Sequence, residues 1–472
     1  MKPSADTLAR MKAIVGPKGY TDDAAEMAPY LVERRDRYQG RAAAMLSPAS
    51  TSEVSALMKI AHETNTKIVP QGGNTGLVGG QIPFESGEEV ILSLTRMNHI
   101  GALDALNKTL TVEAGVTLQA AQEAAAAAGL LFPLSLASEG TCQIGGNLAT
   151  NAGGTAVLRY GNARELVLGL EVVLADGEVW DGRRGLRKDN TGYDLKHLFM
   201  GSEGTLGIIT GAVLKLFPAP QSVETAFVAV PDVEAAVVLL RRADAMNGGL
   251  VTGFELMPRV GIDFVLRHQT GSSDPLNDSS PWYVLVELSA GAARDGRLRE
   301  VMEALLAAAM EADEVSDATI AASDTQRAKL WAIREGMSEV QRLEGGSIKH
   351  DISVPVSCVA EFITLASAAV TKSIPGLRVV PFGHVGDGNI HFNLSQPVGA
   401  DRAAFMARWD EMSDIVHEIV RGLGGSISAE HGIGRMKRDE MAATKSVVEM
   451  EMMRAVKKAL DPKGILNPGK VV

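Results

Sequence analysis

The chain has 472 residues, 46% of them hydrophobic and only 4% aromatic, with 49 glycines and a net charge of −11 at pH 7. That length exceeds one ordinary core, so two or three domains are expected. The acidic balance argues against a nucleic-acid or anionic-membrane partner. The two cysteines, Cys142 and Cys358, make no disulfide framework and suit a reducing compartment.

Residues 1–20 lack the apolar stretch of a signal peptide, and no uninterrupted apolar run of spanning length stands out, so a soluble cytoplasmic protein is expected. Residues 1–45 read as a helical lead-in whose charges, Glu33 to Arg37, form a solvated face. Ser50, Thr51, Ser52 and Glu53 read as a capping box opening a helix with Val54, Leu57, Met58 and Ala61 on one stripe. A strand over residues 67–70 empties into Gln71 to Gly80, with five glycines in the nine positions 72–80. Glycine lets the backbone approach a ligand, and successive N–H groups form a nest for an anion such as a pyrophosphate. The loop is neither the Walker A nor the dinucleotide G-x-G-x-x-G pattern.

Strands are expected over 90–94 and 109–113, and an alanine-rich helix from Thr117 to a stop at Gly129. A second glycine-rich stretch covers 138–154 and a third 201–210. Between them, residues 168–174 and 178–181 flank an Ala175-Asp176-Gly177 turn and read as a hairpin. Three such loops between β-branched strands suggest one extended ligand, of the size of FAD. Pro218-Ala219-Pro220 marks a boundary, beyond which strands at 225–230 and 282–288 alternate with helices at 233–246, 298–310 and from Asp324, an α+β texture. Residues 270–281 read as a surface loop. A long helix from Asp401 places Phe405, Trp409, Met412, Val416 and Ile419 on a core-facing stripe, and a last helix runs to Leu460.

Residues 381–394 carry the most chemistry. His384 and His391 flank a tight turn at 386–389. In the strand that follows, Ile390, Phe392 and Leu394 share one face and His391 and Asn393 the other. Downstream lie Glu430 and His431, between glycines. Two imidazoles and a carboxylate can form a three-ligand metal site with an open position, leaving a further imidazole for proton transfer. Hydrogen-bonded loop histidines and a solvated glutamate would give the same pattern.

The three glycine-rich loops resemble the FAD-binding domain of the vanillyl-alcohol-oxidase/PCMH flavoprotein superfamily. The segments 383–393, 428–432 and 465–468 narrow this to its D-lactate/D-2-hydroxyglutarate dehydrogenase branch. Residues 186–195, 330–335 and 349–355 are similar to further segments of that branch. The resemblance implies a PCMH-type FAD domain of two α/β parts (residues 1–220), a substrate domain with an antiparallel sheet (221–422) and a C-terminal segment returning to the flavin (423–472). For the cofactor it implies Pro70, Gly72, Gly73, Asn74, Thr75, Gly76, Leu77, Gly80 and Gln81 in the first loop, with Pro133 and Leu134 ahead of the second. In the second loop it implies Gly140, Thr141, Gly145, Gly146, Ala149, Thr150, Asn151, Gly153 and Gly154. Glu203, Gly207, Ile208 and Ile209 follow in the third, and Asn467 in the tail. No histidine stands in the first loop, so FAD is expected to be noncovalent.

The resemblance further implies a divalent metal, zinc by expectation, on His384, His391 and Glu430. His431 is the implied base, and Arg334, Ser338, Lys349, Asn393 and His431 the substrate contacts. Ser338 stands where relatives tend to carry Thr, and His350 where a Tyr is usual, which puts the pocket wall there in question. The implied reaction oxidises D-2-hydroxyglutarate to 2-oxoglutarate, with D-malate as a further substrate. The hydride goes to flavin N5, the proton to His431 and the electrons to an electron-transfer flavoprotein or quinone-linked carrier. An FAD-linked D-lactate or glycolate dehydrogenase is the alternative within the branch; a zinc hydrolase and a non-catalytic flavin carrier are alternatives outside it. A homodimer is expected from the family.

Overall fold

The computed structural model describes residues 2–291 and 297–472. The chain forms two compact units: Met1–Gly154, Tyr160–Ala219 and Glu430–Val472 make the first, Thr155–Arg159 and Pro220–Ala429 the second.

In the first unit, helix Thr51–Thr64 begins where the Ser50 side chain accepts the Glu53 N–H. The capping box is only half formed: Glu53 Oε2 accepts from Ala49 N at 2.7 Å, one residue before the expected Ser50 N–H. Val54, Leu57, Met58 and Ala61 are fully buried, as their spacing requires. They pack with Leu46, Ile68, Val90 and Leu92 of strands Ala44–Leu46, Lys67–Gln71 and Glu89–Ser93, which run parallel. Each fully buried Val, Leu, Ile or Met among them contributes about 1.5–3 kcal/mol. A second, antiparallel sheet runs Ile100–Asp104, Thr109–Glu113, Ile208–Lys215, Val167–Val173, Val179–Asp181. Its last pair is the expected hairpin. Ile100–Asp104 is absent from the sequence reading because its residues are half-buried or exposed and show no apolar run. The second glycine stretch is not loop throughout: Ile144–Ala149 is a short helix. There Gly145 lies so close to Ala114 that a Cβ would approach its Cβ to 2.7 Å. The lead-in is helical over Ala5–Val15 and, briefly, over Ala24–Met27.

The second unit is one seven-stranded antiparallel sheet. Its order is Asp317–Ile320, Ser222–Val230, Trp282–Ala290, Val251–Pro258, Arg378–His384, Asn389–Ser395, Ser347–Ser353. Helices Val233–Asn247, Arg297–Glu311, Val359–Ser373 and Trp409–Gly422 cover one face, where Ile390, Phe392 and Leu394 are fully buried. Helices Arg259–His268 and Asp324–Val340 cover the other. The helix expected from Asp401 is two, Arg402–Met406 and Trp409–Gly422. Met412, Val416 and Val420 fill the core, while Trp409 and Ile419 pack half-buried at its margin. Among the described residues one segment, Val356–Ser373, is long and apolar enough by length and composition to cross a membrane, although Glu361 and Lys372 interrupt it. Within the unit its Val359, Phe362, Ile363, Ala366 and Val370 are spent on the core.

Candidate metal and substrate site

The helix-poor end of the second face carries the polar residues. Strand alternation puts Glu255, His384, His391, Asp351, Lys349 and Asn393 on one side, because Glu255 pairs with His384, Asp351 with His391 and Lys349 with Asn393. The two histidines are strand residues of one hairpin, not loop histidines. Their rings meet edge to face at 5.6 Å, and their ligand nitrogens lie within 4.8 Å of each other.

Each ring turns Nδ1 toward a buried carboxylate. His384 Nδ1 lies 2.6 Å from Glu255 Oε1, and His391 Nδ1 lies 3.6 Å from Asp351 Oδ1. Asp351 Oδ1 also accepts from Asn389 Nδ2 at 3.0 Å. At hydrogen-bond distance the Glu255 carboxylate fixes the His384 tautomer, raises its basicity as a ligand and directs Nε2 to a cation, while Asp351 stands as a charge partner beside His391. The donor set therefore fits a metal. Glu255 and Asp351 were not found by sequence reasoning: each is remote in sequence from the histidine it faces, and only strand register joins them.

Glu255 also accepts from Arg334 Nε at 2.7 Å, in a pair whose side chains are 1% and 9% exposed. Burial alone would raise the Glu255 carboxyl, but the charges and hydrogen bonds of His384 and Arg334 hold it down to about 2. The Arg334 guanidinium stacks on Phe382 at 4.9 Å. Lys349 Nζ donates to the carbonyl and hydroxyl oxygens of Ser338 at 2.8 and 3.1 Å, so two of the expected substrate contacts touch. His350 is not a wall of this face. Alternation sends it to the helix-covered side, where its Nδ1 donates to the Phe392 carbonyl at 2.7 Å and its ring meets His417 at 5.5 Å.

In the first unit the glycine loops converge. A Cβ on Gly73 would lie 2.0 Å from the Thr141 carbonyl oxygen, one on Gly80 2.9 Å from Glu203 and one on Gly204 2.6 Å from Pro70. Asn467 Nδ2 donates to the carbonyls of Gly80 and Glu203, tying the tail to two loops. Asn74 and Gln81 spend side-chain amides on shaping the first loop. Asn74, Asn151, Glu203 and Asn467 all hold φ between 41° and 53°, conformations that cost energy and gather at ligand sites. Gln71 Oε1, Gln143 Oε1, Asn147 Nδ2 and Asn467 Oδ1 are buried without a hydrogen-bond partner, and the space above Gly146 is open. Orphaned amides around an open glycine fit a bound dinucleotide whose polar atoms complete them.

The segment with Glu430 and His431 is pinned at both ends within this unit. Glu430 Oε1 accepts the Gly154 N–H at 2.6 Å, so it is not a merely solvated carboxylate. Glu203 accepts the N–H groups of Ile433 and Gly434 at 2.6 and 2.8 Å. Burial raises the Glu203 carboxyl to about 7, despite those two bonds.

Residues 42–183 match the FAD binding domain family, and residues 219–471 match the C-terminal domain of the FAD linked oxidases. The chain is thus a flavoprotein of the FAD-linked oxidase class. It is 39% identical to the mitochondrial D-2-hydroxyglutarate dehydrogenase of Arabidopsis thaliana, over 98% of this chain and 80% of that protein. It is likewise 39% identical to the D-2-hydroxyglutarate dehydrogenase of Xanthomonas citri pv. viticola, over 91% of this chain and 89% of that one. The chain belongs to the D-2-hydroxyglutarate dehydrogenase family. Among solved structures, p-cresol methylhydroxylase shares its fold with a TM-score of 0.78 at 18% identity, over 99% of this chain and 96% of that one.

Proposed function

We propose that the chain oxidises D-2-hydroxyglutarate to 2-oxoglutarate, and D-malate more slowly, with FAD and a divalent cation. The observation that carries the diacid reading is Arg334. Its side chain is nine-tenths buried, and among the described residues the only hydrogen bond it gives is through Nε. A buried guanidinium with its Nη pair unspent matches a carboxylate in bidentate geometry. Lys349, held over Ser338, supplies a second positive charge, and Asn393 lies beside it in register.

His384, His391 and Glu430 hold the cation, with zinc the expectation from the family, since zinc takes two imidazoles and a carboxylate in catalytic sites. Support comes from the paired rings with their carboxylates, and from the anchoring of the chain before Glu430. Ala429 donates its N–H to the carbonyl of Asp351, the residue opposite His391, and Glu430 is next in sequence. When bound, FAD accepts the hydride and the cation supplies Lewis acidity. His431 takes the hydroxyl proton near neutral pH, as an imidazole can. Arg334 and Lys349 hold the distal carboxylate and orient the α-carbon. The electrons leave to an electron-transfer flavoprotein or quinone-linked carrier, the enzyme is a homodimer, and two free cysteines suit the cytoplasm.

Anaerobic mixing of the flavin-loaded protein with D-2-hydroxyglutarate, D-malate and D-lactate tests this. The flavin band should bleach fastest with the five-carbon diacid. Equal or faster bleaching by D-lactate would overturn the diacid reading.

A further inference from the structure

We propose that Glu255 is a positioning residue whose single carboxylate aims both the metal ligand His384 and the substrate-reading Arg334; this rests on the function proposed above. Glu255 lies in strand Val251–Pro258, directly opposite His384 in register. One oxygen, Oε1, is 2.6 Å from His384 Nδ1, and the other, Oε2, accepts from Arg334 Nε at 2.7 Å. With Nδ1–H committed to Glu255, His384 presents Nε2 as its ligand atom. With Nε committed to Glu255 and the guanidinium carbon 4.9 Å from the Phe382 ring centroid, Arg334 presents its two Nη groups as an end-on fork.

Two donors converge on this residue, so it must offer two acceptors. Only a carboxylate does: an amide has one acceptor oxygen and would turn its N–H₂ toward the other donor. Aspartate offers both oxygens but falls about 1.5 Å short. Glu255 is fully buried, so water does not replace it. Its loss therefore acts at two places at once, metal affinity and diacid preference, although it forms no bond to either ligand.

The test uses the full-length flavin-loaded protein as wild type, Glu255→Gln, Glu255→Asp and His384→Ala. Zinc affinity is read by competition with a chromogenic chelator, and diacid preference as the ratio of kcat/KM for D-2-hydroxyglutarate over D-lactate. Flavin absorbance reports folding. Glu255→Gln should weaken zinc by about 10- to 100-fold and lower the ratio at least about tenfold, as expected for a charge-assisted contact held askew. Glu255→Asp should recover part of both. Unchanged zinc affinity and ratio in Glu255→Gln would overturn the proposal and leave the functional reading standing, and so would movement of only one of the two. A wild type with no zinc that His384→Ala removes would overturn that reading, and this inference with it. Should Glu255→Gln lose its flavin, Glu255→Asp decides by the same two readouts.

Discussion

Replacing Arg334 by Met separates substrate reading from structural support. Two charge-assisted bonds from the Nη fork to a carboxylate, at about 1.5 kcal/mol each in this nearly buried setting, are worth about 3 kcal/mol. At 1.4 kcal/mol per decade that is a loss of about a hundredfold in kcat/KM for D-2-hydroxyglutarate. A second effect accompanies it. Glu255, 1% exposed, is left with His384 alone, and breaking a buried pair costs about 3–5 kcal/mol. That cost falls on every substrate and on stability alike. D-lactate has no distal carboxylate, so it feels only the second effect. The ratio of the two kcat/KM values, measured with an artificial electron acceptor, cancels the shared part and should fall about a hundredfold. An unchanged ratio, with both substrates losing equally, would refute Arg334 as the reader of the distal carboxylate.

Three further outcomes are expected. The folded state holds the Glu203 proton from the ordinary 4.5 up to about 7, so unfolding stability falls as pH rises through that window, by about 3 kcal/mol. Glu203→Gln removes the titrating proton, at the cost of one of the two backbone bonds at every pH, and should flatten the decline of the denaturation midpoint between pH 5 and 8; parallel declines in the two proteins would contradict this. Gly73→Ala drives a Cβ to 2.0 Å from the Thr141 carbonyl oxygen, so it should part the first two loops and release FAD on gel filtration, and full flavin retention would count against that site. His431→Ala should keep the yellow flavin while flavin reduction by substrate slows by about a hundredfold or more, the usual range for a lost general base; a near-normal rate would remove it as the base.

The elements with strong local signals were legible from sequence. The helix over Thr51–Thr64, the hairpin over Val167–Val173 and Val179–Asp181, and the alternation of Ile390, Phe392 and Leu394 all follow from period and turn chemistry. Less legible were the elements that depend on partners. Ile100–Asp104 gains its strand by pairing with Thr109–Glu113. Ile144–Ala149 is helical because Gly145 can sit against Ala114, a reason no local propensity supplies. In the candidate site, His384, His391 and Arg334 could be named from sequence. Glu255 could not, because its role exists only once a strand more than a hundred residues away is laid beside His384.

The proposed chemistry needs an ion and a diacid held together by these residues. Diffraction at the zinc absorption edge, from crystals of the protein grown with 2-oxoglutarate, addresses it most directly. The expected result is one anomalous peak bonded to Nε2 of both His384 and His391 and to Glu430, with the distal carboxylate on the Arg334 fork. A peak elsewhere, or a product whose far carboxylate avoids Arg334, would contradict it.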